Sequence, residues 1–190
     1  MTTHPVDIWK VALSDAMRLV LSAEEAERAA RFRFPKDRER WSRARSALRM
    51  VLAKYARVQP AELRFAIGPH GKPALVEAAG IEFNLSHARD YALVAVSRNV
   101  PVGVDIQDIR PGTDMALLLR RLGESGDGGT AELYARWARR EARSKAAGGA
   151  LFDPLPPDIR AVDLPAPEGY AAAVALCGFE PCPARFELSA

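Results

Sequence analysis

Cysteine and histidine are scarce in this chain: its 190 residues hold two of the first and three of the second. Cys177 and Cys182 lie near the C-terminus with no histidine beside them. That argues against a zinc site and fits two incidental thiols in a reducing compartment. Long apolar runs are missing as well. None approaches the roughly 20 residues that a membrane-spanning helix needs. The first ten residues contain Asp7 and no apolar stretch of signal-peptide type. A cytoplasmic protein with no membrane partner is the expectation. Aromatic residues make up only 7% of the chain, and no Gly-x-Ser-x-Gly elbow of a serine hydrolase is present.

What is there suffices for one domain with a real core, or for two small lobes. The chain is 48% hydrophobic and 27% charged, with a net charge of +3. That charge is unevenly spread. Between Arg28 and Arg49 lie nine basic residues and two acidic ones, so this segment nets +7 and the remainder −4. A concentrated basic patch implies an anionic partner. The few aromatics among these arginines, and the lack of a nucleic-acid-binding motif, argue against nucleic acid and leave a phosphorylated small molecule or a solvated helix face.

Ser22 followed by Glu24 and Glu25 predicts a helix start and a short helix to about Arg31. Pro35 opens a longer helix whose apolar stripe is Trp41, Ala44, Leu48, Val51, Leu52 and Tyr55. It stops before Pro60, and Arg38, Arg45 and Arg49 flank the stripe, where they can reach a cleft. Leu63 to Ile67 predicts a short strand, and Gly68-Pro69-His70-Gly71-Lys72-Pro73 a turn. Three further strands are predicted near Ile81–Leu85, Tyr91–Ser97 and Val102–Gln107, with short connections that favour antiparallel pairing. Helices follow over Met115–Leu122 and Thr130–Ala147, the second stopped by Gly148-Gly149. Ile159–Leu164, Tyr170–Cys177 and Ala184–Leu188 predict three more strands. The order suggests two similar α+β halves.

Three places carry chemistry. In Val102–Gln107 the period of two puts Gly103, Asp105 and Gln107 on one face. A carboxylate on a packed strand is a rigid, hard oxygen ligand for magnesium. Read alone, the pattern equally describes an edge strand with a polar face. In Thr130–Ala147, Trp137, Glu141 and Lys145 share a helix face at i, i+4 and i+8. The pair can hold a metal and a phosphate in one cleft, or be an ordinary exposed ion pair. Asn84-Leu85-Ser86-His87 ends a strand with two groups able to bind phosphate. Adjacent strand residues point to opposite faces, so Ser86 and His87 do not form a nucleophile and base.

The joint order of these motifs is more specific than any one. Gly71-Lys72-Pro73, Phe83-Asn84-Leu85-Ser86-His87, Val102-Gly103-Val104-Asp105-Ile106 and Trp137-x-x-Arg140-Glu141-Ala142-x-x-Lys145-Ala146 follow one another. Upstream stand Phe34-Pro35-x-Asp37-Arg38 and Arg45-x-x-Leu48-Arg49. Together they strongly resemble the Sfp-type 4′-phosphopantetheinyl transferases, from about Glu24 to Leu151.

The resemblance implies an α+β fold of two pseudo-symmetric lobes, residues 1–101 and 102–190, each a small, mainly antiparallel sheet packed with helices. It implies transfer of 4′-phosphopantetheine from coenzyme A to a serine of an apo acyl- or peptidyl-carrier protein, with Mg2+ or Mn2+, releasing adenosine 3′,5′-bisphosphate. Asp105 and Glu141 would be metal ligands. Glu141, or a water it holds, would take the serine proton, and Lys145 would stabilise the pyrophosphate. Lys72 with Pro73, Ser86 and His87, helped by Arg38 and Arg45, would contact coenzyme A. Three departures stand out. Gln107 replaces the family's usual glutamate, so the third metal ligand would be an amide oxygen. Arg140 replaces a common lysine. The stretch between Gln107 and Trp137 is short and glycine-rich. A family member that binds coenzyme A with weak or no transfer is the alternative.

Overall fold

The computed structural model describes residues 2–67, 72–76, 78, 80–110 and 112–188. The turn expected over residues 68–73 falls outside the described residues at 68–71, Gly71 of the Gly-Lys-Pro motif included, and Pro73 opens a short strand instead. In chain order the elements are β1 (Thr3–Ala12), α1 (Ala23–Ala30), α2 (Pro35–Ala56), β2 (Phe65–Ile67), β3 (Pro73–Leu75), β4 (Ile81–Ala88), β5 (Tyr91–Arg98), β6 (Val102–Asp108), α3 (Met115–Arg121), α4 (Thr130–Ala147), β7 (Ile159–Leu164), β8 (Tyr170–Cys177) and β9 (Glu180–Leu188). The fold is α+β, as the sequence implies.

Local signals set the helix ends. Ser22 and Glu25 form a reciprocal capping box that starts α1. Pro35 occupies the first turn of α2, where its missing N–H costs nothing. Gly148, at φ +68°, caps α4 in a left-handed conformation open to glycine. Among the described residues no helix is long and apolar enough to cross a membrane.

The strands form a four-stranded sheet in the order β4-β5-β1-β9, a three-stranded sheet β6-β8-β7, and the small pair β2-β3. Two expectations need correction. Antiparallel pairing holds between β4 and β5 but does not continue to β6, which pairs with β8. The second edge of β5 is taken by β1, a strand the sequence reading did not anticipate. Its alternation is blurred by Pro5 and Lys10, so only Val6, Ile8 and Val11 reach the core. β9 lies after residue 102 in sequence, yet it pairs parallel with β1 and so belongs to the first sheet.

The two large sheets share a core in which Val6, Ile8, Leu93 and Ala95 meet Val104, Ile106, Val174 and Leu176. α2 covers the other face of the first sheet, packing Leu48, Val51 and Leu52 on Phe83, Val94 and Val96. α4 covers the other face of the second sheet with Ala138, Ala142 and Ala146 against Ala173 and Ala175. Small residues on both sides let this helix approach closely. A Cβ added at Gly103 would stand 2.0 Å from the carbonyl oxygen of Ala142. The absence of a side chain there is what lets α4 reach β6.

Candidate active site

β4 and β6 are the facing edges of the two large sheets. An edge strand exposes unpaired backbone groups, and here side chains take them. Asn84 Oδ1 accepts the Val104 N–H at 3.0 Å, and Ser86 Oγ accepts the Ile106 N–H at 3.3 Å. Lys72 Nζ donates to the Val102 carbonyl at 3.2 Å and Lys145 Nζ to that of Val104 at 3.3 Å. The Phe-Asn-Leu-Ser-His motif therefore sews the two sheets together. Asn84 and Ser86 share one strand face; His87 points the other way.

Asp105 is the centre of the seam. It is 1% exposed, and both of its carboxylate oxygens accept hydrogen bonds. Oδ1 accepts from Lys145 Nζ at 2.5 Å and from Ser86 Oγ at 2.9 Å, and Oδ2 accepts from Gln107 Nε2 at 2.7 Å. Lys145 Nζ also lies 3.9 Å from Glu141 Oε2. One ammonium thus stands between two carboxylates from different elements, a β6 face and an α4 face. Burial, and then the charge of Asp105, push the Glu141 carboxyl above its usual range, with Lys145 opposing them.

These groups line a cavity of about 420 Å³ together with Ser86, His87, Arg40, Arg89, Asp108 and Arg110. A larger cavity of about 830 Å³ shares Leu85 and His87 with it and is lined by Arg28, Arg45, Arg64, Trp41, Phe65 and Pro73. The Arg45 guanidinium stacks over Phe65 at 4.1 Å. At the junction, His87 Nδ1 is buried and has no hydrogen-bond partner among the described residues. Burial, with Arg40 and Lys145 close by, holds His87 below the usual histidine range. An anion at this junction would pair the free nitrogen and relieve the repulsion between the cations.

The structure thus brings Asp105, Gln107, Glu141, Lys145, Ser86 and His87 together, and sets Arg45 and Pro73 in the adjoining cavity. Arg38 is exposed on α2 and lines neither cavity. Lys72 lines neither as well; burial lowers its basicity where it holds Val102. Arg49 lies in the wall of the larger cavity, with its guanidinium turned inward. It is 2% exposed and donates to Glu25 and to the carbonyls of Pro60 and Leu63. Burial raises the Glu25 carboxyl, but hydrogen bonds from Arg49, the Ser22 N–H and Arg45 outweigh it and hold it below its usual range.

The sequence reading missed the rim of the smaller cavity. Asp108 is buried and binds both Arg110, at 2.5 Å, and Arg89, at 3.1 Å. Arg89 sits in the β4–β5 turn at φ +46°, an uncommon conformation for a residue with a side chain. Arg40 donates to its carbonyl. Only Arg40 carried a signal, as a member of the basic run.

The donor set bears on a metal. Among the described residues no group of three or more histidines, cysteines, aspartates and glutamates is gathered. Two carboxylates facing one cationic point nonetheless suit a hard ion that keeps waters and shares substrate phosphates, which is how Mg2+ is usually held.

Comparison with known proteins agrees with this geometry. Residues 8–99 match the family model described as 4′-phosphopantetheinyl transferase, N-terminal. The 4′-phosphopantetheinyl transferase HetI of Nostoc sp. is 33% identical over 130 residues, covering 64% of this chain and 55% of that protein. A putative 4′-phosphopantetheinyl transferase of Synechocystis sp. is 34% identical over 144 residues, 70% of this chain and 58% of that protein. The chain therefore spans somewhat over half the length of these two curated relatives. A 4′-phosphopantetheinyl transferase of Bacillus subtilis is 31% identical over 177 residues, 88% of this chain and 77% of that protein. With this coverage, and with the motif residues drawn into one cleft, the chain belongs to the 4′-phosphopantetheinyl transferase family.

Proposed function

We propose that this chain transfers 4′-phosphopantetheine from coenzyme A to a serine hydroxyl of an apo acyl- or peptidyl-carrier protein, as a holo-carrier-protein synthase using Mg2+ or Mn2+. The observation that carries the reading is the convergence of Asp105, Glu141 and Lys145 in one cavity, joined at His87 to a larger one lined by arginines. A substrate that carries a pyrophosphate and a separate phosphate, as coenzyme A does, fits such a pair.

Asp105 and Glu141 would hold the divalent ion, with Gln107 as a weaker third donor. The ion would supply charge neutralisation on the pyrophosphate. The serine oxygen attacks the phosphorus that bears pantetheine. A new P–O bond forms, the pyrophosphate P–O bond breaks, and adenosine 3′,5′-bisphosphate leaves with the electron pair. The serine proton passes to Glu141 or to a water it holds. Lys145 donates to the leaving oxygen as charge grows there. His87 binds phosphate at the junction, Ser86 holds Asp105 beside it, and Arg45 helps from the larger cavity.

The test is to incubate the chain with coenzyme A, Mg2+ and a panel of apo-carriers from fatty acid, polyketide and nonribosomal peptide synthesis, and to weigh the products. A phosphopantetheine mass gain that disappears in Asp105→Ala and Glu141→Ala is expected. No gain on any carrier, with coenzyme A still bound, would favour the second reading. In that reading, Gln107 in place of a third carboxylate leaves a coenzyme A binder with weak or no transfer.

A further inference from the structure

The outer flank of α4 carries Arg136, Arg139, Arg140 and Arg143. Spacing of i, i+3, i+4 and i+7 lines them along one helix face over about 10 Å, at 1.5 Å per residue. Glu141 and Lys145 occupy a different flank of the same helix. Arg160, on β7, lines the same groove of about 370 Å³, with Glu124 and Glu180 the acidic groups on its wall.

Some of this charge is already matched. Arg136 pairs with Glu132 at 3.2 Å, and Arg139 with Asp163 at 2.6 Å. Arg140 Nη2 holds the carbonyls of Leu151 and Asp153, and Nη1 lies 4.0 Å from Glu124. Arg143 and Arg160 have no side-chain hydrogen bond or ion pair among the described residues. The Nε atoms of Arg140 and Arg143 are buried without an acceptor. An unpaired buried donor on a cation is more costly than one on a neutral group, and like charges at helical spacing repel. An anionic occupant of the groove relieves the repulsion.

We propose that this groove docks an acidic helical segment of a partner protein, with carboxylates repeating at i, i+3 or i+4, and i+7. The spread of charge decides the class of occupant. Cations strung along a helix match a second helix laid beside it. A compact phosphate would call for donors converging on one point. This surface is separate from the catalytic cavity, so the proposal stands whether or not the transfer reading holds.

The test uses the full chain and a fluorescent 16-residue alanine–glutamate helix with its glutamates on one face. Fluorescence anisotropy should show binding that weakens with salt. It should weaken at least tenfold in the Arg143→Glu/Arg160→Glu double variant. Reversing Arg31 and Arg33 on the other lobe should change it less than twofold. Arg143→Ala/Arg160→Ala, expected to melt like the parent, should show a smaller loss in the same direction. A peptide of the same composition with its glutamates scattered around the helix should bind at least fivefold more weakly. Equal affinity for parent and double variant would overturn the proposal, and so would equal binding of the scattered peptide. Tripolyphosphate that binds more tightly than the peptide and is lost in the double variant would assign the groove to phosphates instead.

Discussion

Ser86 Oγ donates to Asp105 Oδ1 at 2.9 Å and, from the same oxygen, accepts the backbone N–H of Ile106 at 3.3 Å. One hydroxyl thus fixes both the carboxylate and the strand that carries it. Ser86→Ala leaves a buried acceptor and a buried donor each short of a partner, at a cost of about 1–3 kcal/mol in stability. Loss of a group that orients a metal ligand typically costs about 10- to 100-fold in metal affinity or activity. We expect a transfer rate in that lower range and a higher Mg2+ requirement, with Ser86→Thr recovering much of both. Ser86→Ala with an unchanged Mg2+ titration would limit Ser86 to a structural role.

Gly103 gives a second, sharper test. The Cβ of an alanine would stand 2.0 Å from the Ala142 oxygen and 2.5 Å from the Ala146 nitrogen, both backbone atoms of α4. The helix must move, and Glu141 and Lys145 move with it. Overpacking of this kind costs about 1–3 kcal/mol. Gly103→Ala should therefore lower the melting temperature and reduce transfer far more than the stability loss alone explains. Full activity in a stable variant would show that the approach of α4 to β6 is not critical.

His87 links the site to pH. Its imidazole is held below the usual histidine range by burial, Arg40 and Lys145, so on acidification the unfolded chain takes up a proton before the folded chain does. Stability is retained above the ordinary histidine value and lost as pH falls from there towards the lower folded value. Bound phosphate reverses the shift, because it favours the charged ring. Coenzyme A binding near pH 6.5 should then take up a proton, up to about one per site. Calorimetry in two buffers of different ionisation heat measures this uptake, and His87→Gln should abolish it. Uptake that persists in the variant would place the titrating group elsewhere.

Much of this was legible in the sequence because it rests on short-range periodicity. The two-residue repeat of Val102–Gln107 and the four-residue repeat of Trp137, Glu141 and Lys145 foretold which side chains share a face. What failed was long-range. β1 is recognisable only by the partners it finds on both sides, β5 and β9. The basic run concealed different fates: Arg45 and Arg49 turn inward at a cavity wall to share the Glu25 carboxylate, and Arg38 stands in solvent. Composition cannot separate these, since a guanidinium turns inward only where a distant carboxylate waits for it. The Arg89–Asp108–Arg110 rim was equally hidden, because its members come from a turn and a strand end that meet only in the fold.

Gln107 offers the closest test of the metal reading. Its Nε2 donates to Asp105 Oδ2 at 2.7 Å, so its side chain lies within reach of the carboxylate that would bind the ion. Gln107→Glu replaces that hydrogen bond with two facing carboxylates. With no ion present they repel, and the carboxyl pair takes up a proton more readily than before. Stability conferred by that proton is present at low pH and lost as pH rises through the pair's raised value. The metal-free variant should therefore melt at a lower temperature than the parent at pH 8, and the gap should narrow towards pH 5. Mg2+ removes the repulsion and gains a third carboxylate, so added Mg2+ should raise the melting temperature more in the variant than in the parent. Transfer at limiting Mg2+ should rise by the same logic, while rates at saturating Mg2+ stay closer together. Identical Mg2+ dependence in both melting and transfer would remove Gln107 from the metal site.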